Sequence, residues 1–169
     1  MDTFFEQIVS IKKSGKTVLA FFGIWLLALI VSLTLFLYPI LGSLTALLII
    51  GILFLAYKLS AKLNIEFEYI ITNGTLDIDK IINKSSRKRI LSLELSAVSR
   101  IEKYNPAMLS SINAKSLTFA CNTNDPEAYL LVAEMEGKGA YYLIFVPDER
   151  IRTAIVKFVP KYIANSAFK

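Results

Sequence analysis

The chain has 169 residues, 54% of them hydrophobic, and carries nineteen Lys and Arg against fourteen Asp and Glu for a formal net charge of +5. It contains no histidine, which excludes histidine-dependent acid–base catalysis, Ser-His-Asp triads and histidine metal sites. The lone Cys121 has no partner for an internal disulfide, as expected in a reducing compartment, and basic residues interspersed with acids favour a membrane surface over nucleic acid as the anionic neighbour.

Residues 1–16, MDTFFEQIVSIKKSGK, set Phe4, Phe5, Ile8, Val9 and Ile11 among polar residues at near-helical spacing and close with Lys12, Lys13 and Lys16. This predicts a short amphipathic helix in the membrane interface, with Phe4 and Phe5 in lipid and the three lysines at the headgroups. The alternative is a frayed terminus. Val18 to Tyr57 then runs 40 residues without one charged side chain. A hydrocarbon core about 30 Å thick needs roughly 20 apolar residues as a helix, so the run suffices for two crossings. Tyr38-Pro39 interrupts it, because proline removes a backbone donor and biases the preceding residue out of the α region, and Gly42-Ser43 follows. The reading is a membrane hairpin over 17–58, with helices at 17–37 and 40–57.

The run is twice the length of a signal-peptide core and is followed by no small-residue cleavage site, so it is read as retained. Lys12, Lys13 and Lys16 at one end and Lys58 and Lys62 at the other place both termini in the cytoplasm of a multi-pass cell-membrane protein. Tyr38 and Tyr57 stand at helix ends, where amphipathic rings prefer the interface. Ala28 with Ser32, and Gly42 with Ala46, offer small residues for helix packing.

After Lys62 the pattern alternates. Glu66-Phe67-Glu68-Tyr69 and Leu76-Asp77-Ile78-Asp79 flank Asn73-Gly74, a hairpin signal because both turn residues tolerate positive φ. A plain two-residue turn would set Glu68 opposite Asp79, so a bulged turn with Gly74 left-handed is the alternative. Five further strands are predicted at 89–94, 98–104, 116–121, 128–134 and 141–146, with Gly137-Lys138-Gly139 turning between the last two and a helical turn within 105–115. Pro147-Asp148-Glu149 opens a C-terminal helix, proline and acids suiting the first turn. Ile151, Ile155, Phe158 and Tyr162 give it one apolar face, and Pro160 kinks or ends it.

Seven short strands followed by one amphipathic helix, in the stretches ITNGTLDIDKI, RKRILSLEL and YLLVAEMEGKGAYYLIFVPDERIRTAIVKFVP, resemble the bacterial pleckstrin-homology-like (PH-like) domains. The whole chain resembles small bacterial membrane proteins that carry two helices ahead of such a domain. The resemblance implies a mostly-β domain over 64–169, a bent seven-stranded sheet or barrel capped by one helix, held at the membrane. It implies no activity and no cofactor.

Candidate chemistry is sparse. Cys121 lacks a histidine to activate it and is read as a strand residue. Glu66, Glu68, Asp77 and Asp79 are read as a solvated outer sheet face. Lys84-Ser85-Ser86-Arg87-Lys88-Arg89 places Lys84, Arg87, Lys88 and Arg89 in one loop, a candidate contact for anionic lipid at about 1 kcal/mol per basic residue; the alternative is an ordinary solvated turn. The sequence therefore predicts a non-catalytic, membrane-anchored module with the lipid bilayer, anionic headgroups and a membrane or cytosolic protein as its partners. The alternative is a structural subunit whose hairpin packs within a larger membrane complex.

Overall fold

The structure, a computed structural model, describes residues 3–38, 42–112, 116–122, 125–135, 137 and 139–168. Pro39 of the predicted break at Tyr38-Pro39 and the turn residue Lys138 lie outside them. The chain forms two compact units, one of residues 12–65 with 82–85, the other of residues 1–11, 66–81 and 86–169.

The first unit is helical. Helix α1 spans Gly15–Leu37 and α2 spans Leu44–Ala61, both long and apolar enough to cross a membrane. Ser14 caps α1, its hydroxyl accepting from the Thr17 amide at 3.3 Å, which satisfies one of the first-turn donors. Hydroxyls within the helices bond their own turns, Thr34 Oγ1 donating to the Ile30 carbonyl at 2.9 Å. Ala28 and Ser32 are buried against α2, as their size suggests. The second small pair is different from its expectation: Ala46 is exposed, and Thr45, Ala56 and Ser60 are the buried residues of α2. Gly42, with φ +54, stands two residues ahead of α2, which starts at Leu44, four residues later than position 40.

The second unit is β-rich. Its described residues form eight strands in two four-stranded sheets, where the sequence predicted seven in one bent sheet. Strand β1 (Phe4–Ser10) is the addition, and it replaces the predicted interfacial helix. Its residues alternate between half-buried Phe5, Gln7 and Val9 and exposed Phe4, Glu6, Ile8 and Ser10. Both faces carry apolar side chains, which is why no period-two signal appears in the sequence. β1 pairs antiparallel with β2 (Ile65–Thr72), from Phe4 opposite Thr72 to Ser10 opposite Glu66. With β3 (Thr75–Ile82) and β4 (Ser86–Glu94) these make the order β1-β2-β3-β4. Asn73 and Gly74 alone separate β2 from β3, at φ 49 and 92, so the turn is the plain two-residue one.

The other sheet has the order β5-β7-β8-β6, from β5 (Val98–Lys103), β6 (Leu117–Phe119), β7 (Tyr129–Met135) and β8 (Gly139–Phe145), with β6 parallel to β8. Cys121 lies just beyond β6. Helix α3 (Glu149–Phe158), capped by the Asp148 carboxylate at 2.8 Å from the Ile151 amide, buries Ile151, Ala154 and Ile155. It ends ahead of Pro160, and Tyr162, on the short helix α4 (Lys161–Ala164), is exposed instead of continuing the apolar face. Phe158 sits where a Cβ on Gly74 would meet its ring at 3.2 Å, so a side chain there would crowd that ring as well as strain the positive φ.

Tyr69 joins the two sheets at the centre of the core. Its ring meets Phe145 edge-on at 5.8 Å, its hydroxyl donates to the Ala120 carbonyl at 2.6 Å, and it accepts from the Val146 amide at 3.2 Å. Gln7 of β1 reaches the same region, donating to the Val146 carbonyl at 2.9 Å and accepting from the Asp148 amide at 2.8 Å. Tyr69→Phe keeps the ring but strands two backbone groups in a dry core, and is expected to lower unfolding free energy by about 1–3 kcal/mol. Chemical denaturation of the full chain measures this, and wild-type stability in the variant would show that the hydroxyl is dispensable.

Candidate functional site

The β3–β4 turn, residues 83–85, brings the basic stretch out of the sequence and into the structure as two separate sets of side chains. Asn83 and Lys84 both adopt positive φ, 51 and 55, a conformation that asparagine tolerates best. The Asn83 amide donates to the Asn64 carbonyl at 2.8 Å, which ties the turn to the segment just after α2 and makes residues 82–85 part of the helical unit. Lys84 is exposed in that unit.

Arg87 and Arg89 belong to the β unit and point at carboxylates. Arg87 Nη2 lies 2.9 Å from Glu68 Oε1; Arg89 Nη1 lies 2.7 Å from Asp77 Oδ2, and its Nε lies 2.9 Å from Asp79 Oδ1. Glu68 is 0% and Asp79 5% exposed, which corrects the reading of these acids as a solvated face. The like charges that a plain turn brings near each other are tolerated because two guanidinium groups cover them. Phe67, Tyr69, Leu76 and Ile78 fill the core as expected. Asp79, by its hydrogen bond, and Asp77 hold Arg89 more firmly charged. Burial pushes the Glu68 carboxyl up, and nearby Glu6 adds to this, against the partial offset of Arg87. Glu68 Oε2 has no hydrogen-bond partner among the described residues.

The other candidate residues are also placed. Lys12 and Lys13 lie in the link between β1 and α1, and Lys16 lies in the first turn of α1, all exposed. Phe4 is 62% exposed, whereas Phe5 turns inward, with the Lys157 ammonium 5.9 Å from its ring centroid. Cys121 is buried, which pushes its thiol up to about 12 and leaves it a poor nucleophile.

A feature that the linear sequence conceals is how charge divides between the units. The helical unit holds Lys12, Lys13, Lys16, Lys58, Lys62 and Lys84 and no acid, six of the nineteen basic residues and none of the fourteen acidic ones. The β unit is left with thirteen against fourteen, so the whole net positive charge belongs to the helical unit. The signal available in the sequence was the acid-free interval from Gln7 to Ile65; the contribution of Lys84 required the Asn83–Asn64 bond.

Two sheets joined through Tyr69, with a C-terminal helix packed by Ile151 and Ile155, describe a PH-like fold that is interrupted after its first strand by two apolar helices. The chain belongs to the family described as Bacterial PH-like domain (DUF6106), whose model matches residues 1–165 and so includes β1 and both helices. No curated protein and no solved structure matches the chain. PH-like domains are generally non-catalytic modules that bind lipids or proteins.

Arg89→Ala is expected to lower stability by about 1–3 kcal/mol by leaving Asp77 and Asp79 uncovered, while Lys88→Ala changes it by less than about 0.5 kcal/mol. Equal effects would show that the arginines are ordinary surface charges. Because the Glu68 pKa is raised on folding, the stability its protonated form contributes is complete below the ordinary glutamate value and is lost as pH rises through the folded value. Thermal unfolding from about pH 4 to pH 7 should therefore show Glu68→Gln gaining on wild type as pH rises. A difference that stays constant with pH would contradict the shift.

Proposed function

We propose that the protein is a membrane-anchored, non-catalytic PH-like binding module. Helices α1 and α2 cross the cell membrane as a hairpin, both chain ends remain cytoplasmic, and the β unit works at the cytoplasmic face on a protein partner or the anionic lipid surface. The observation that carries this reading is the sorting of charge: six exposed lysines and no acid in the unit that contains the two apolar helices. None of the six takes part in an ion pair among the described residues, as expected of groups whose counter-charge is a headgroup. Lys16 stands in the first turn of α1, where the helix dipole disfavours a cation by about 0.3–1 kcal/mol, a cost that a headgroup contact would offset. An anionic leaflet contributes about 1 kcal/mol per nearby basic residue.

In this reading the lipid contact of the basic stretch is made by Lys84 and Lys88, and Arg87 and Arg89 act within the sheet. Lys12, Lys13 and Lys16 anchor the other end of the hairpin, with Phe4 exposed nearby in sequence. The pairing of Ser10 with Glu66 supports an even number of crossings, since the chain leaves and re-enters the β unit at one place.

Single cysteines at Lys12 and Tyr162, in a chain whose buried Cys121 is replaced by Ala, test the topology. Both positions should resist a membrane-impermeant thiol reagent in intact cells and react after permeabilisation. Labelling of either in intact cells would overturn the cytoplasmic placement.

A further inference from the structure

The helical unit contains a groove of about 330 Å³ whose lining changes from polar to apolar along one face of α1. Thr17, Phe21 and Trp25 follow one another at intervals of four on α1, and Lys13, just ahead of the Ser14 cap, precedes them, so the lining begins with a cation and a hydroxyl and ends with two aromatic rings. Trp25 is ten residues into the helix from Gly15, a depth of about 15 Å at the helical rise. The rest of the lining includes Asn64 and Asn83, which with Lys13 make its polar rim in this reading, and Ser60 and Tyr57 of α2. The Asn83–Asn64 backbone hydrogen bond holds those two residues together, and no acidic side chain is among the described residues that line the groove.

A site of this size accepts a ligand of small-molecule dimensions, and its chemistry defines which kind. The rim offers one ammonium and two side-chain amides, donors suited to a phosphate or comparable anion. The floor offers aromatic and aliphatic surface for a hydrocarbon chain. A soluble anion would leave the floor unused, and an uncharged lipid would leave Lys13 unpaired.

We propose that this groove binds one anionic phospholipid, its phosphate at Lys13, Asn64 and Asn83 and an acyl chain running down α1 past Phe21 to Trp25. The assignment rests on the reading of α1 and α2 as membrane-spanning. It differs from the diffuse attraction of the lysines to the leaflet, because it specifies a saturable site and a single cation that gives it headgroup preference.

Trp25 is the only tryptophan in the chain, and it borders both this groove and the apolar helix surface beside Leu26 and Leu29, so the groove is read from the saturable part of its quenching. The experiment places the full chain in phosphatidylcholine nanodiscs containing a rising fraction of phosphatidylglycerol or phosphatidylcholine brominated on the acyl chains. Quenching by brominated phosphatidylglycerol should saturate at a low fraction, and quenching by brominated phosphatidylcholine should rise in proportion to its content. Lys13→Gln should raise the half-saturating fraction of phosphatidylglycerol about fivefold, equivalent to ~1 kcal/mol for one basic residue, while Lys161→Gln, an exposed lysine outside the groove, leaves it in place. Equal effects of the two substitutions, or proportional quenching with both headgroups, would overturn the site while leaving the membrane reading intact. An absence of quenching even in fully brominated discs would overturn the membrane reading and the site with it. Inorganic phosphate should not relieve the quenching; relief would mean that the rim binds a free anion and that the lipid assignment is wrong.

Discussion

The pairing of β1 with β2 is the constraint on which the rest depends. Ser10 and Glu66 face each other as antiparallel partners, and opposed Cα atoms in such a pair lie only about 4.5–5.5 Å apart. Residues 11–65 therefore form one long excursion that starts and finishes at the same point of the β unit. Within it lie two helices of 23 and 18 residues, about 27–35 Å long, close to the thickness of a hydrocarbon core. The paired strands are in this sense the stem of the excursion, and the β unit is assembled from chain on both sides of it.

The same stem fixes the core behind it. β1 carries Gln7, whose amide bonds Val146 and Asp148, and those residues lead from β8 into the cap of α3. Tyr69 on β2 bonds Ala120 and Val146. Two adjacent strands thus reach one short segment, residues 145–148, and position the helix whose Ile151 and Ile155 close the core. Satisfying these buried polar groups specifies a unique arrangement in a way that apolar contacts alone do not.

Basic side chains divide by type as well as by place. Arginine presents a planar fork, and Arg89 uses it to reach Asp77 and Asp79 together; Arg87 covers Glu68. In the same stretch Lys84 and Lys88, strongly hydrated point charges on flexible stems, are exposed and take part in no ion pair among the described residues. This division accounts for what was legible in the sequence. The strands from Phe67 onward were readable because one face is apolar and alternates, and the helices because they are long and uncharged. Glu68 and Asp79 were misread because alternation gives the face of a residue, not what covers that face, and their cover comes from Arg87 and Arg89 on another strand. β1 was missed because its partner strand begins more than fifty residues later in the sequence, and because Phe4 and Ile8 mask its alternation. The groove beside Trp25 draws on Asn83, whose neighbours in the fold are distant in sequence.

The most direct measurement is to remove the excursion while keeping its stem. In one shortened chain an Asn-Gly turn joins Ser10 to Glu66; in a second the chain starts at Glu66 and lacks β1. The first should be soluble and unfold cooperatively, and the second should be less stable by about 3 kcal/mol, the combined loss of two half-buried apolar side chains and the Gln7 hydrogen bonds. Equal stability of the two, or a soluble fold in the second alone, would contradict the account, because β1 would then be an appendage of the helices and not a strand of the β unit.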